Sequence, residues 1–282
     1  MAKPIIALMY DFDKTLSPRN MQEYGFMDGL DMTAEEFWAE CTRLAKAHSM
    51  DSILAYMYLM LEKGKSNLVL KRETFESLGK TVKLFPGVTS WFDRINAYCE
   101  ERGAVCEHYI ISSGLKEIID GTQIADKFKM IYAAEFLYGE DKLAKWPALT
   151  VNYTSKTQFL YRINKGVFDV TDQKSLNEYT PEDKRRVPFC NMIYFGDGDT
   201  DVPCMKLTKV NGGHSLVVYQ DDRKEALKLI DEGRVDFAVK ADYRPGKTLE
   251  KTVQAVIDEI VAHHKVQTAH KKQESELHKN AD

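Results

Sequence analysis

Four short stretches of the chain carry residue types that can do chemistry: Asp11-Phe12-Asp13-Lys14-Thr15, Ser112-Ser113-Gly114, Lys156, and Gly196-Asp197-Gly198-Asp199-Thr200-Asp201. Carboxylates in this number suit a hard divalent cation, because Mg²⁺ takes oxygen ligands and cancels the repulsion between acids and an anionic substrate. A carboxylate relieved of that repulsion can attack, and a second one beside it can carry protons. A serine hydroxyl and backbone N–H groups near a helix start suit an anion, and a lysine adds a point charge. Taken singly, each stretch has an ordinary reading. A D-x-D at a strand end is often a solvated turn, G-D-G-D suits a loop, serine and glycine are common turn residues, and one lysine is usually a surface lysine.

The elements that precede these stretches change their weight. Ile5 to Tyr10 is a continuous apolar run, the pattern of a strand buried on both faces, and it delivers Asp11 and Asp13 at its C-terminal end. Similar runs at His108–Ile111 and Asn191–Phe195 end in the serine and glycine-aspartate stretches, and Lys156 opens an amphipathic helix to about Asn164. Strand ends are where open α/β sheets bind ligands. Ser215–Tyr219 and Phe237–Val239 supply later strands, with a helix between them over Arg223–Asp231, and Ser90–Arg102 is helical. Met130–Tyr138 and Leu143–Val151 read as a hairpin around Gly139-Glu140-Asp141. The fold class expected is therefore α/β, a Rossmann-like parallel sheet with helices on both faces.

Between Ser17 and Leu84 the pattern turns helical. Thr33 and Glu36 form a capping box, and Ser52–Glu62 is apolar nearly all round, which predicts a buried helix. Residues 1–16 and 85–262 are expected to form the main domain, 17–84 a small all-helical insert, and 263–282 a fraying helix end or flexible tail. Gly166 to Pro188 is a polar excursion too long for a simple connector.

Order, spacing and strand context together resemble the four motifs of the haloacid dehalogenase superfamily, most closely its phosphoserine-phosphatase-like branch with a helical cap between the first and second motifs. The resemblance spans residues 4 to about 240. It implies a phosphatase: Asp11 as nucleophile forming an aspartyl-phosphate, Asp13 as general acid and base, and Ser112 and Lys156 holding the phosphate and the nucleophile. It further implies Mg²⁺ held by Asp11, Asp13 through its carbonyl, Asp197 and Asp201, with Ser113 and Gly114 beside the phosphate. Thr15 is grouped with the phosphate-binding residues and is expected to buttress the first loop. Asp13 favours phosphatase or phosphotransferase chemistry over metal-free dehalogenation. One departure stands out, because an acidic residue that receives the substrate ammonium in that branch is replaced here by Asn20. A small phosphate ester other than phosphoserine is the expected substrate. A phosphotransferase and a non-catalytic phosphate-binding module are the alternative readings.

Composition narrows the partners. Lysine and arginine number 39 against 43 acids, a net charge of −4, which offers no electrostatic case for nucleic acid or an anionic membrane. A small phosphorylated metabolite fits better. The five cysteines form an odd set without a C-x-x-C pair, arguing for reduced, ordinary residues. The apolar run before Asp11 is too short for a membrane span, and a cytoplasmic location is expected. His48, His108 and His214 lack metal-ligand spacing and read as structural, Asp199 as solvent-facing or hydrogen-bonding, and Tyr56 to Met60 as core of the helical insert rather than pocket.

Overall fold

The computed structural model describes residues 3–279, apart from 31, 68 and 199, with backbone alone at 65–67. Its first strand, β1 (Ile5–Tyr10), leads into the helical segment of α1 (Ala34–His48), α2 (Ser52–Asn67) and α3 (Arg72–Gly79). The chain then runs through α4 (Val88–Glu101), β2 (Val105–Leu115), α5 (Lys116–Asp120), β3 (Met130–Tyr138), β4 (Ala144–Leu149) and α6 (Lys156–Lys165). After α7 (Gln173–Asn177) come β5 (Met192–Gly196), α8 (Val202–Val210), β6 (His214–Tyr219), α9 (Lys224–Asp231), β7 (Phe237–Lys240) and the long α10 (Thr248–Lys279).

The strands form one seven-stranded sheet in the order β4-β3-β2-β1-β5-β6-β7, parallel everywhere except at the β3–β4 edge. β1 lies at its centre because every residue from Ile6 to Tyr10 is buried and both faces are covered. Ile6, Leu8 and Tyr10 point into a cluster with Trp91, Phe92 and Val253 from α4 and α10. Ala7 and Met9 point the other way, toward Phe159, Met205 and Leu229 from α6, α8 and α9. This alternation is the period of two expected of a strand sandwiched between helical layers.

From β1 the chain builds the sheet to one side through β2 and β3, then returns to the other side of β1 with β5. The C-terminal ends of β1 and β5 therefore diverge at a topological switch point, where open α/β sheets leave a crevice. Tyr10 is in register with Phe195 and with Ile110, so Asp11 emerges level with the end of β5 and with the stretch of β2 just before Ser112.

The helical segment closes over this crevice. Thr33 Oγ1 accepts the Glu36 N–H and Glu36 returns the bond to Thr33, the reciprocal cap expected at the start of α1. Phe37, Met57, Met60 and Phe75 are buried in the same cluster that covers one face of the sheet.

Two boundaries differ from expectation. α2 runs five residues past Glu62, and β2 continues through the Ser-Ser-Gly stretch to Leu115, with its pairing to β3 interrupted between Ile111 and Leu115. Of the two readings for the C-terminal segment, helix end or flexible tail, the described residues follow the helix: α10 continues to Lys279, its buried apolar residues ending at Val261 and its later residues largely exposed. The excursion after α6 is pinned by the buried Arg162, whose guanidinium donates to the carbonyls of Asp169, Val170 and Asp172. Among the described residues no helix is long and apolar enough to cross a membrane.

Candidate active site

The end of β1 places Asp11 at the floor of a cleft of about 460 Å³, with Asp13, Ser112, Ser113, Gly114 and Asp197 also on its wall. Asp11 is held by its N–H, which donates to the Phe195 carbonyl at 2.9 Å, a bond that ties the end of β1 to β5. Phe12 turns into the core, leaving Asp11 and Asp13 on the cleft side. Asp13 is oriented by the Met21 N–H, which donates to its Oδ1 at 2.8 Å.

Lys156 is fully buried at the start of α6, behind the cleft wall. Its Nζ donates to Asp201 Oδ1 at 2.7 Å and forms an ion pair with Asp11 Oδ1 at 3.0 Å. Asp201 is saturated: its Oδ1 also accepts the Tyr194 hydroxyl at 2.7 Å, and its Oδ2 accepts the Asp197 N–H at 3.2 Å. That carboxylate packs onto the backbone of Gly196, where a Cβ would sit 2.4 Å from Asp201 Cγ. Glycine is required there for β5 to end against the acid. Gly114 is constrained in the same way, since a Cβ would meet Met21 Cε at 2.0 Å and Asp13 Oδ2 at 3.1 Å.

The acids are crowded. Oxygens of Asp11, Asp197 and Asp201 lie within 4.8 Å of one another. Burial, and then neighbouring acids set against the Lys156 charge, raise the Asp11 carboxyl to about 6 and the Asp197 carboxyl to about 7. Burial and the Asp11 charge push Asp13 well above the ordinary carboxylate range. Burial alone pulls the Lys156 ammonium down, but Asp11 and Asp201 together outweigh it and the net shift is upward. One buried lysine thus leaves negative charge uncompensated among the acids. An all-carboxylate set with these properties fits a hard divalent cation. Asp11 and Asp197 border the cleft, and Asp201 lies behind them in the same oxygen cluster, its Oδ1 accepting two protein donors and its Oδ2 one.

The remaining expected residues divide. Ser112 is buried at the cleft with its Oγ accepting the Gly114 N–H at 3.1 Å. The helix start expected at Ser113 and Gly114 comes later, at Lys116, and α5 spans only five residues. Ser113 faces the cleft with an unpartnered Oγ, while its carbonyl accepts the Tyr56 hydroxyl at 2.8 Å. Thr15 lies outside the cleft, fully buried, with its carbonyl accepting the Tyr243 hydroxyl at 2.8 Å, so it buttresses the loop instead of touching a ligand. Asp199 lies outside the described residues. His108 is a core histidine, bonded to Tyr10 and Asn96, and burial drives its imidazole down to about 3.

Sequence reasoning missed Lys14, beside the acids, and most of the far wall: Gln22, Trp38, Thr42, Ile53 and Tyr56. Lys14 follows the first motif directly and takes a left-handed backbone with φ 57°, which no spacing rule announces. Tyr56 corrects the expectation for α2. Met57, Leu59 and Met60 are core, but Tyr56, although 3% exposed, borders the cleft and reaches across it. Asn20, noted as a departure, also lines the cleft and donates to Glu23 at 2.6 Å.

No protein-family profile matches the sequence. A curated relative does: an uncharacterized protein of Borreliella burgdorferi is 31% identical over 274 residues, covering 87% of this chain and 94% of that one. Among solved structures, a phosphoserine phosphatase captured as an analogue of its phospho-aspartyl intermediate superimposes with a TM-score of 0.56 at 13% identity, over 90% of this chain and 99% of that chain. A haloacid dehalogenase family hydrolase of Salmonella enterica serovar Typhi superimposes with a TM-score of 0.53 at 15% identity, over 77% of this chain, which spans 63% of that protein's length. The chain belongs to one family with the Borreliella burgdorferi protein and has the haloacid dehalogenase fold in its phosphoserine-phosphatase-like form.

Proposed function

We propose that this protein is a metal-dependent phosphatase that hydrolyses a small phosphate monoester through an aspartyl-phosphate on Asp11. The observation that carries the reading is the placement of the Asp11 carboxylate, at the end of the central strand with Lys156 Nζ 3.0 Å away and Asp197 beside it, facing an open cleft.

Each role follows from an environment. Lys156 holds Asp11 through an ion pair at 3.0 Å while the carboxylate borders the cleft, the placement of a carboxylate ready to attack phosphorus. Asp13 is buried beside it, and its raised proton affinity lets it hold a proton to give to the leaving oxygen and later take one from water. The Met21 N–H keeps one Asp13 oxygen engaged and leaves the other for that exchange. Ser112 and Ser113 bring hydroxyls to the opposite wall, where phosphate oxygens need donors. Asp11 and Asp197, with the Asp13 carbonyl, would hold Mg²⁺, which supplies charge neutralisation between the carboxylates and the phosphate.

Residues 17–84 serve as a cap, since their helices supply the wall facing Asp11, and water exclusion beneath such a cover favours a small substrate. The five cysteines are all free, in keeping with a reducing cytoplasmic setting. The test is hydrolysis of p-nitrophenyl phosphate with Mg²⁺, arrested by EDTA and restored by excess Mg²⁺. Asp11→Asn, nearly isosteric and unable to attack, should lower turnover by roughly 10⁴-fold or more. Activity surviving that substitution, or indifference to chelator, rejects the reading.

A further inference from the structure

The two ends of the cleft differ in charge. Among the described residues that line it, the charged ones are Asp11, Asp13, Lys14 and Asp197, all at the phosphate end. The far wall, built by the segment after the first motif and by α1 and α2, offers Asn20, Gln22, Trp38, Thr42, Ile53 and Tyr56. No ammonium or guanidinium there can meet a carboxylate, and no carboxylate there can meet an ammonium. Glu23 stands behind this wall, with Oε1 already accepting from Asn20 at 2.6 Å and from Trp38 Nε1 at 3.2 Å.

Gln22 is the feature without an internal explanation. It borders the cleft, is 1% exposed, and its Oε1 has no hydrogen-bond partner. A buried amide oxygen without a donor is costly, which marks it as waiting for one. A carboxamide offers both an acceptor and a donor, and a hydroxyl answers both, whereas a carboxylate only accepts and an ammonium only donates. Trp38, on the same cleft wall, is held by its bond to Glu23 and gives an apolar ring against which carbon-bound hydrogens can pack.

Resting on the phosphatase reading, we infer that the leaving group of the substrate is uncharged and hydroxyl-bearing, a polyol or sugar, recognised by the Gln22 carboxamide and the Trp38 ring. A zwitterionic amino-acid ester such as phosphoserine, or an ester of a hydroxy acid, places a charge against a wall that cannot pair it, and burying an unpaired charge is expensive.

The experiment compares kcat/KM, with Mg²⁺, for hexose and glycerol monophosphates, phosphoserine, 3-phosphoglycerate and p-nitrophenyl phosphate. The uncharged hydroxylated esters should exceed both charged ones by at least about tenfold. In Gln22→Leu, the ratio of kcat/KM for the best hydroxylated ester to that for p-nitrophenyl phosphate should fall about tenfold, mainly through KM. Thr42→Arg, at an exposed position of α1 on the same wall, should raise 3-phosphoglycerate relative to glycerol phosphate and does not depend on a buried site tolerating change. Preference for phosphoserine or 3-phosphoglycerate, or an unmoved ratio in both variants, overturns the inference while leaving a phosphatase. Failure on every ester including p-nitrophenyl phosphate overturns the phosphatase reading itself, and this one with it.

Discussion

The two walls of the cleft are built on different principles. At the phosphate end, side chains come from the ends of β1, β2 and β5, elements whose positions are fixed by a continuous parallel sheet. The acids there are buried, close together and paired with one lysine, an arrangement that costs folding energy and is held in place by the surrounding core. At the far end, side chains come from a turn segment and two helices, are neutral, and are joined mostly by ordinary local hydrogen bonds. If the proposed function holds, the difference teaches where each kind of information resides: reactivity in buried, crowded acids on the sheet, selection in the neutral wall carried by the helices.

The strongest way to break this comparison is at Lys156. Its ammonium is the one buried cation touching both Asp11 and Asp201 among the described residues. Lys156→Met should cost roughly 3–5 kcal/mol of stability at about pH 8, because two buried carboxylates lose their partner. The penalty should shrink toward pH 5 as the Asp11 carboxyl, raised to about 6 chiefly by burial, takes up a proton. Turnover of p-nitrophenyl phosphate should fall at least about 10³-fold. Urea melts at the two pH values and initial rates read both effects. A variant as stable as the parent at both would mean that the phosphate end carries no electrostatic strain.

Much of that end could be read from the chain. Apolar runs at Ile5–Tyr10 and Asn191–Phe195 announced buried strands, and the acids after them fell where a parallel sheet opens. The capping box at Thr33 was equally plain, since capping is a local exchange between residues three apart. What stayed hidden depends on contacts between distant segments. That Asp201 is hydrogen-bonded on both oxygens follows from Tyr194 and Lys156 converging from β5 and α6, which no spacing shows. That Tyr56 borders the cleft, while Met57 one residue later is core, depends on how α2 is rotated against β2, and a helix apolar on all sides gives no face to orient it. The sequence leaves the end of α10 open between a fraying helix and a flexible tail, because the residues after Val261 lack an apolar stripe and their helicity rests on propensity and i,i+4 pairs such as Lys272 with Glu276.

A second test sharpens the comparison through pH. Burial first, then the charges of Asp201 and Asp11, lift the Asp197 carboxyl to about 7 from an ordinary 3.8. The folded state therefore binds this proton more tightly than the unfolded chain. The stability it contributes is present below 3.8 and is lost as the pH rises toward about 7. Asp197→Asn removes the penalty, so the metal-free variant should be more stable than the parent at about pH 8 by on the order of 2 kcal/mol, with the gain gone near pH 4. Added Mg²⁺ should stabilise the parent and leave the variant nearly unmoved, because only the parent retains the full ligand set. Thermal melts with EDTA or Mg²⁺ at both pH values give the answer, and a variant less stable than the parent in EDTA at pH 8 contradicts the strain assigned to this acid.

The smallest expected effect lies where the walls meet. Tyr56 Oη donates to the Ser113 carbonyl at 2.8 Å, tying α2 to the end of β2 across the cleft. Tyr56→Phe removes one hydrogen bond and leaves the ring in place, so the cost should be about 1 kcal/mol of stability. If the two walls are separable, p-nitrophenyl phosphate turnover should change by no more than about threefold, an energy below that of the lost bond. A loss of a hundredfold would instead show that α2 positions Ser113 and its neighbours for the reaction. The cover would then belong to the catalytic apparatus, and the division between a reactive sheet and a selective cap would have to be redrawn with β2 and α2 acting as one unit.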